Sequence, residues 1–329
     1  MRTVDLFAGI GGLRRGFERV GFETVFANDF EPSCKVTYDL NYPDTPLTLG
    51  DIRDIDVNTI PDYDFLLAGF PCQPFSVAGY RQGFEDEKGR GNLFFSIANI
   101  LDKTRPTGFV LENVKNLQGH DKGRTFKTIE NILVNDLGYH IKHEILNSME
   151  HGNTPQNRER IFIVGFQDKM VTERFQFPEK IPLTRSFQEL LDKQVADEFY
   201  YMGKPLYEKI VGDVLRRDTV YQYRRVYVRE NKRGVCPTLT ANMGEGGHNV
   251  PIILDDKGIR KLTPRECARL QGFDDSFLLP TTLANAKLYK QMGNSVTVSV
   301  VERLAEQVVM ALGEQHHVSE FTALATPAL

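Results

Sequence analysis

Residues 3–12, TVDLFAGIGG, set a short apolar run directly before a turn holding three glycines, Gly9, Gly11 and Gly12. Leu13, Phe17 and Val20 then recur at helical spacing, and Gly21 supplies a stop signal. A strand that enters a helix through a glycine turn opens a βα unit, and the same rhythm continues outward from it. ETVFAND (23–29) reads as a strand and EPSCKVTYDLNY (31–42) as a helix; YDFLLAGF (63–70) and NLFFSIANILDKTRP (92–106) repeat the pair. TGFVLENV (107–114) is followed by the helical GRTFKTIENILVNDLG (123–138), then by two strands, YHIKHEILNS (139–148) and RIFIVGF (160–166). Strands alternating with helices of this length predict an α/β fold with a mainly parallel sheet. Ligands of such sheets sit outside the carboxyl ends of the strands.

The rhythm fails after Phe177. Pro178 and Pro182 mark a boundary, and a second region without clear alternation extends to about residue 287. Strong apolar periodicity returns in QMGNSVTVSVVERLAEQVVMAL (291–312), which reads as one closing helix. The tail GEQHHVSEFTALATPAL (313–329) carries no usable signal.

Composition narrows the class. Apolar residues make up 41% and charged residues 26%, as in soluble globular proteins. No run approaches the ~20 apolar residues that span a bilayer, and the first residues enter a strand pattern without a charged-then-apolar leader. The four cysteines, Cys34, Cys72, Cys236 and Cys267, form no CxxC pair. That argues against a zinc site or a disulfide framework and predicts a reducing, cytoplasmic setting. The net charge of -4 does not advertise a nucleic-acid binder, yet residues 204–233 hold nine Lys/Arg against four Asp/Glu, interleaved with tyrosines. Such a stripe is either a solvated face or a nucleic-acid contact.

The chemistry-bearing residues gather at the strand ends. The turn glycines permit close backbone approach to a ligand, although the pattern departs from GxGxxG. Asp29 ends the second strand 20 residues after Gly9, where a carboxylate can accept both ribose hydroxyls. Asp51 lies at the next strand-to-helix passage and could accept from an adenine amino group. Two carboxylates suit the sulfonium of S-adenosylmethionine better than a pyrophosphate; turn glycines and helix caps are the alternative. Cys72, in AGFPCQPFSVAG (68–79), leaves the third strand on the same edge, between a packed thiol and a reactive one. Glu112 ends FVLENV, where apolar surroundings raise a carboxyl pKa as a general acid requires. A cap or ion pair would also account for it. Arg158 and Arg160 alternate to one face at the start of a strand, either holding that glutamate or a base carbonyl, or standing as surface charges.

Taken in order, FAGIGG, PCQ, ENV, QNRER, RKLTPRECARLQGF and QMGNSV resemble the motifs of cytosine-C5 DNA methyltransferases of bacterial restriction-modification type, from residue 3 to about 310. The resemblance implies a Rossmann-like S-adenosylmethionine-dependent domain (1–180 and 288–329), a smaller target-recognition domain (181–287) and a DNA cleft between them. It implies Cys72 as nucleophile on cytosine C6, Glu112 at ring N3 and the exocyclic amine, and Arg158 and Arg160 as the family's arginine pair, with Arg160 near the base O2 and the glutamate. The target cytosine must leave the duplex stack. Phe7, Gly9, Gly11, Gly12, Asp29, Phe30, Asp51, Ile52, Phe70, Asn294 and Ser295 match the family's cofactor-binding positions, with Asp29 and Phe30 where many members carry Glu and Trp. S-adenosylmethionine is the expected cofactor, with no metal. The segment GYRQGFEDEKGRGNLFF (79–95) matches the mobile loop, here about two residues longer than in compact members.

Gln73, Ser76, Arg224, Arg225, Thr238, Leu239, Thr240, Gly246 and Gly247 are the DNA-contacting candidates. Arg224 and Arg225 would reach guanine O6 and N7, or only position phosphates. Residues 223–251 look like recognition segments for GGNCC or GGWCC sites. The expected partners are double-stranded DNA and a cognate restriction endonuclease that forms no stable complex with the chain. The tRNA-directed relatives share PCQ and ENV, so those motifs do not separate DNA from RNA substrates.

Overall fold

The structure is a computed structural model that describes residues 1–71, 93–231, 233–244 and 249–313. β1 (Arg2–Leu6) leads through the glycine turn into α1 (Gly12–Glu18), followed by β2 (Glu23–Asp29), α2 (Pro32–Asn41), β3 (Thr48–Leu49) and β4 (Phe65–Gly69). Next come α3 (Leu93–Thr104), β5 (Gly108–Val114), α4 (Arg124–Asn131), β6 (His140–Asn147), α5 (Ser148–His151), β7 (Gln156–Asn157), β8 (Glu159–Phe166) and α6 (Lys169–Arg174). One seven-stranded sheet runs in the order β3-β2-β1-β4-β5-β8-β6. Every pairing from β3 to β5 is parallel; β8 alone runs against its neighbours. The predicted α/β class and mainly parallel sheet are therefore observed. Strand order reverses between β1 and β4, which opens a crevice at their carboxyl ends.

The sheet is buried on both faces. Leu66, Phe109 and Ile163 pack under α3 and α4, while Phe65, Val110 and Val164 pack under α1 and the last helix. Gly16 lets α1 approach that helix, since a Cβ there would lie 2.5 Å from a Val301 methyl.

Asp5, on β1, is fully buried, and neither of its carboxylate oxygens has a hydrogen-bond partner among the described residues. Burial pushes its pKa up to about 8; Arg14 offsets this in part, and Asp29 and Glu18 add to it. The folded state thus holds the proton more tightly than the unfolded chain does. The stabilisation is complete below the usual aspartate pKa and is lost as pH rises toward 8. Asp5→Asn is expected to gain stability relative to the parent between pH 5 and 8, by up to roughly 1 kcal/mol per pH unit. Thermal unfolding at several pH values reads this slope, and parallel curves would contradict it.

The second region carries α7 (Tyr207–Ile210), β9 (Val220–Tyr223), β10 (Val228–Asn231), β11 (Cys236–Pro237), β12 (Ile252–Leu254) and β13 (Ile259–Lys261). β10-β9-β12-β13 form a four-stranded sheet, and β11 pairs in parallel with β7. Tyr221, Ile252 and Ile259 pack with Ile210 and Val214 in a small core of their own. A larger core joins this region to the first, with Ala8, Tyr38 and Tyr42 packed together with Leu239, Leu270 and Met292.

α8 (Pro264–Leu270) begins at a capping box, Thr263 with Glu266, and Glu266 is held by both terminal nitrogens of buried Arg260 at 2.8 Å. Cys267 is buried within this scaffold.

The single closing helix expected over 291–312 is corrected to two, α9 (Asn285–Asn294) and α10 (Val298–Leu312). Helix ends leave unpaired carbonyls, and here they are taken from outside. Arg158 donates to Gly293 O at 3.1 Å and to Ser295 O at 2.5 Å, and Gln271 Nε2 donates to Met292 O at 2.5 Å. α9 also lies flat against residues 240–244. A Cβ on Gly293 would sit 2.1 Å from the Thr240 carbonyl carbon, and one on Gly244 2.3 Å from Ala286 O. Among the described residues no helix is long and apolar enough to cross a membrane, and no group of three His, Cys, Asp or Glu is placed to hold a metal ion.

Candidate active site and recognition face

The crevice at the carboxyl ends of β1, β2, β4 and β5 is a cavity of about 580 Å³. Its floor is the turn after β1, which is wound by left-handed residues at Phe7 (φ 54°), Gly9 (φ 56°) and Gly11 (φ 83°). Glycine adopts this region freely, whereas Phe7 is held there against its preference, as happens at ligand-facing turns. Gly9 faces open space, and a Cβ at Gly12 would stand 2.7 Å from Ser295 Oγ and 2.8 Å from a Val296 methyl. The turn is therefore a cradle kept open by missing side chains. Gly11 does not line the cavity; its lack of a side chain makes room for the Tyr42 ring.

Phe7, Gly9, Gly12, Asp29, Phe30, Asp51, Ile52, Phe70, Asn294 and Ser295 all line this one space. Phe30 is 66% exposed at its mouth, a free aromatic face on which a flat ring can stack. Asp29 accepts from the Gly9 and Glu31 backbone amides at 2.9 Å, and burial still pushes its pKa up. Asp51 is clasped by Arg53, which lowers its pKa and keeps it ionised. Across the mouth, Lys290 on α9 bonds Glu31 at 3.0 Å and holds that carboxyl at about 2.

Glu112 and Asn113 sit on the far wall. Glu112 is buried, and its Oε1 is 3.0 Å from Arg160 Nε. Burial raises its pKa, against the lowering pull of Arg160 and Arg158. A carboxyl placed so can carry a proton to a ligand in the cavity. Asn113 donates through Nδ2 to Phe70 O at 2.8 Å, and so fixes the chain two residues before Cys72. Asn113, the middle residue of ENV, has no task in the sequence reading; the signal that could have found it is its place beside Glu112.

Arg158 and Arg160 part company. Arg160 meets Glu112, whereas Arg158, 2% exposed, donates to Leu239 O at 2.8 Å and to the two carbonyls at the α9–α10 break. The chain crosses from β7 to β8 at this point, which sends the two guanidiniums to different sides. Gln156 adds to the same knot, accepting from Leu239 N at 3.0 Å and donating to Leu270 O at 2.6 Å. Leu239 is buried and Thr238 Oγ1 donates to Asn157 O at 2.6 Å, so this pair serves as a joint, while Thr240 is exposed.

Arg224 and Arg225 occupy the exposed turn between β9 and β10, with Arg225 left-handed (φ 63°) and Val226 91% exposed at the tip. Cys72, Gln73, Ser76, Gly246 and Gly247 lie outside the described residues, as does the expected loop up to residue 92.

Residues 1–310 match the family model for C-5 cytosine-specific DNA methylase. The Type II methyltransferase M.Bsp6I of Bacillus sp. (strain RFL6) is 50% identical over 95% of this chain and 99% of its own length. M.DsaV of Dactylococcopsis salina, another Type II methyltransferase, is 40% identical over 98% of this chain and 89% of its own. Among solved structures, a variant of Spodoptera frugiperda DNMT2 superposes with a TM-score of 0.71 at 20% identity, over 93% of this chain and 99% of that one. A prophage-encoded DNA modification methyltransferase from E. coli gives 0.68 at 21% identity, over 95% and 100%. Both structural likenesses speak to the fold.

Proposed function

The chain belongs to the C-5 cytosine-specific DNA methylase family, and from that premise we propose how its own residues carry a methyl group to cytosine C5. It is a DNA (cytosine-5-)-methyltransferase. The reading rests on one observation above the rest: a buried glutamate held by Arg160 opens into the same cavity as the glycine cradle, Asp29 and Phe30.

The cavity fits S-adenosylmethionine, which supplies an electrophilic methyl group when bound. Asp29 would receive its ribose hydroxyls, Phe30 would stack on adenine, Asp51 and Ile52 would border the base edge, and Asn294 with Ser295 would close the wall. A cytosine flipped from the duplex, at a cost of a few kcal/mol, would enter from the Glu112 side. Cys72 would attack C6 as the thiolate, moving the C5–C6 electron pair onto C5. C5 would take the methyl carbon as that carbon's bond to the sulfonium sulfur breaks and S-adenosylhomocysteine is left. Glu112 would donate its proton to N3 as charge builds in the ring. Loss of the C5 proton to water, with return of the N3 proton to Glu112, would re-form the double bond and expel the Cys72 thiolate. Arg160 would hold Glu112 and the base O2.

The sheet carried by residues 220–261 supports a division into catalysis (1–180 and 288–329) and target recognition (181–287). We place the enzyme in the cytoplasm, in a restriction-modification system with an endonuclease of the same site, for which GGNCC or GGWCC is the working expectation.

Transfer of labelled methyl groups to duplex DNA and to tRNA tests the substrate class. Label in no cytosine-containing duplex would overturn the proposal, and label in tRNA alone would redirect it. Bisulfite sequencing of the product reads the site. Glu112→Gln keeps the side-chain volume and removes the acid. It is expected to slow single-turnover transfer by about 10²–10⁴-fold with unchanged DNA affinity. A rate within a few-fold of the parent would remove the acid role.

A further inference from the structure

β9 and β10 form a two-faced ribbon. Tyr221, Tyr223 and Val228 turn inward to the small core, while Gln222 and Arg229, paired across the strands, turn outward with Arg224. The outward face is one wall of a second cavity, of about 780 Å³. Pro237, Thr238, Thr240, Asn242 and Asn249 line its other side, and it reaches Asn157 of β7.

Two properties set this groove apart from an ordinary polar surface. Its lining is rich in guanidiniums and amides, and the one carboxylate among its described residues, Glu230, pairs with Arg216. Arginine matches guanine O6 and N7 and asparagine matches adenine N6 and N7, so this is a base-edge set. Among the described residues, moreover, the side chains of Arg229, Asn242 and Asn249 have no hydrogen-bond or ion-pair partner, whereas Arg224 is engaged by Gln222 at 3.0 Å. Arg229 also rises from a strand, which positions a side chain more tightly than the exposed turn that carries Arg225.

The groove lies close to the chemistry. Asn157 is three residues before Arg160 in the chain, a span of at most roughly 10 Å, or within about three base steps at 3.4 Å each. We propose that this groove reads base pairs flanking the target cytosine, with Arg229, Asn242 and Asn249 as its specificity-determining residues and guanine the partner of Arg229. The assignment rests on the methyltransferase reading above and moves discrimination from the turn arginines to the ribbon's outer face.

The test uses the full-length protein and a duplex library randomised around the methylated cytosine, read by bisulfite sequencing. Arg229→Ala is expected to lose roughly 5- to 150-fold discrimination at one flanking position while the preference at the others persists. Arg229→Lys keeps the charge without the bidentate fork and should not restore that preference. An unchanged context in Arg229→Ala, or full restoration by Arg229→Lys, would overturn the inference, the latter marking a phosphate contact. Where Arg229→Ala is folded but too slow to sequence, competition binding against the same duplexes decides. A flattened preference supports base reading, and an equal loss on every duplex refutes it. Asn242→Ala and Asn249→Ala are each expected to relax a different position, and unchanged contexts in both would strike the asparagines from the set. A parent enzyme that methylates no duplex would instead defeat the methyltransferase reading itself.

Discussion

Cys72→Ser protein is expected to show no methyl transfer above background, a loss on the order of 10³-fold or more, and to form no covalent complex on 5-fluorocytosine DNA. The nucleophile must be a thiolate, and a serine hydroxyl without an adjacent base is far weaker. Cys72 lies outside the described residues, yet its approach is well fixed. Pro71 lines the cavity, and Asn113 pins the Phe70 carbonyl. No other cysteine can stand in, because Cys34, Cys236 and Cys267 are buried and burial pushes each thiol up. Denaturing electrophoresis of the trapped complex reads the adduct directly. A shifted band from the serine protein would refute the nucleophile assignment, whatever the methylation assay showed.

Arg158→Met is expected to act differently, by loosening the fold. Methionine keeps much of the volume but leaves the carbonyls of Leu239, Gly293 and Ser295 without their donor. Each buried group left unpaired costs about 1–3 kcal/mol, so a loss of several kcal/mol in denaturant unfolding is the expected result. Arg160→Met should leave stability closer to the parent, because its guanidinium is more exposed and meets the carboxylate of Glu112, which can take up a proton instead. Arg158→Met with parental stability and no turnover would show that Arg158 acts on the base, as the motif alone suggests.

That difference between two neighbouring arginines shows where sequence reading runs out. The strands and the glycine turn were legible because each is specified by residues a few positions apart. The acid at the end of β5 was equally local. The break between α9 and α10 was not, since Val296, Val298 and Val301 carry the apolar face straight through it. What ends α9 is donated from Arg158 and Gln271, far away in the chain. The outer face of β9–β10 was half visible. YQYRRVYVREN does alternate, but which of its two faces lies against a core depends on Ile210, Ile252 and Ile259.

The flat contact between α9 and residues 240–244 has a consequence for making chimeras. Recognition segments are attractive parts to exchange between relatives in order to change the site that is methylated. Here the joint falls inside such a segment: the Thr240 backbone rests on Gly293, and Gly244 rests on the Ala286 carbonyl. A donor piece spliced in between residues 181 and 287 would bring its own residues 244 and 286, but its backbone at residue 240 would have to fit flat against the host's Gly293. If that backbone stood higher, the rest of α9 would have to be transplanted with it. The heritable unit of specificity is therefore longer than the segment that faces DNA.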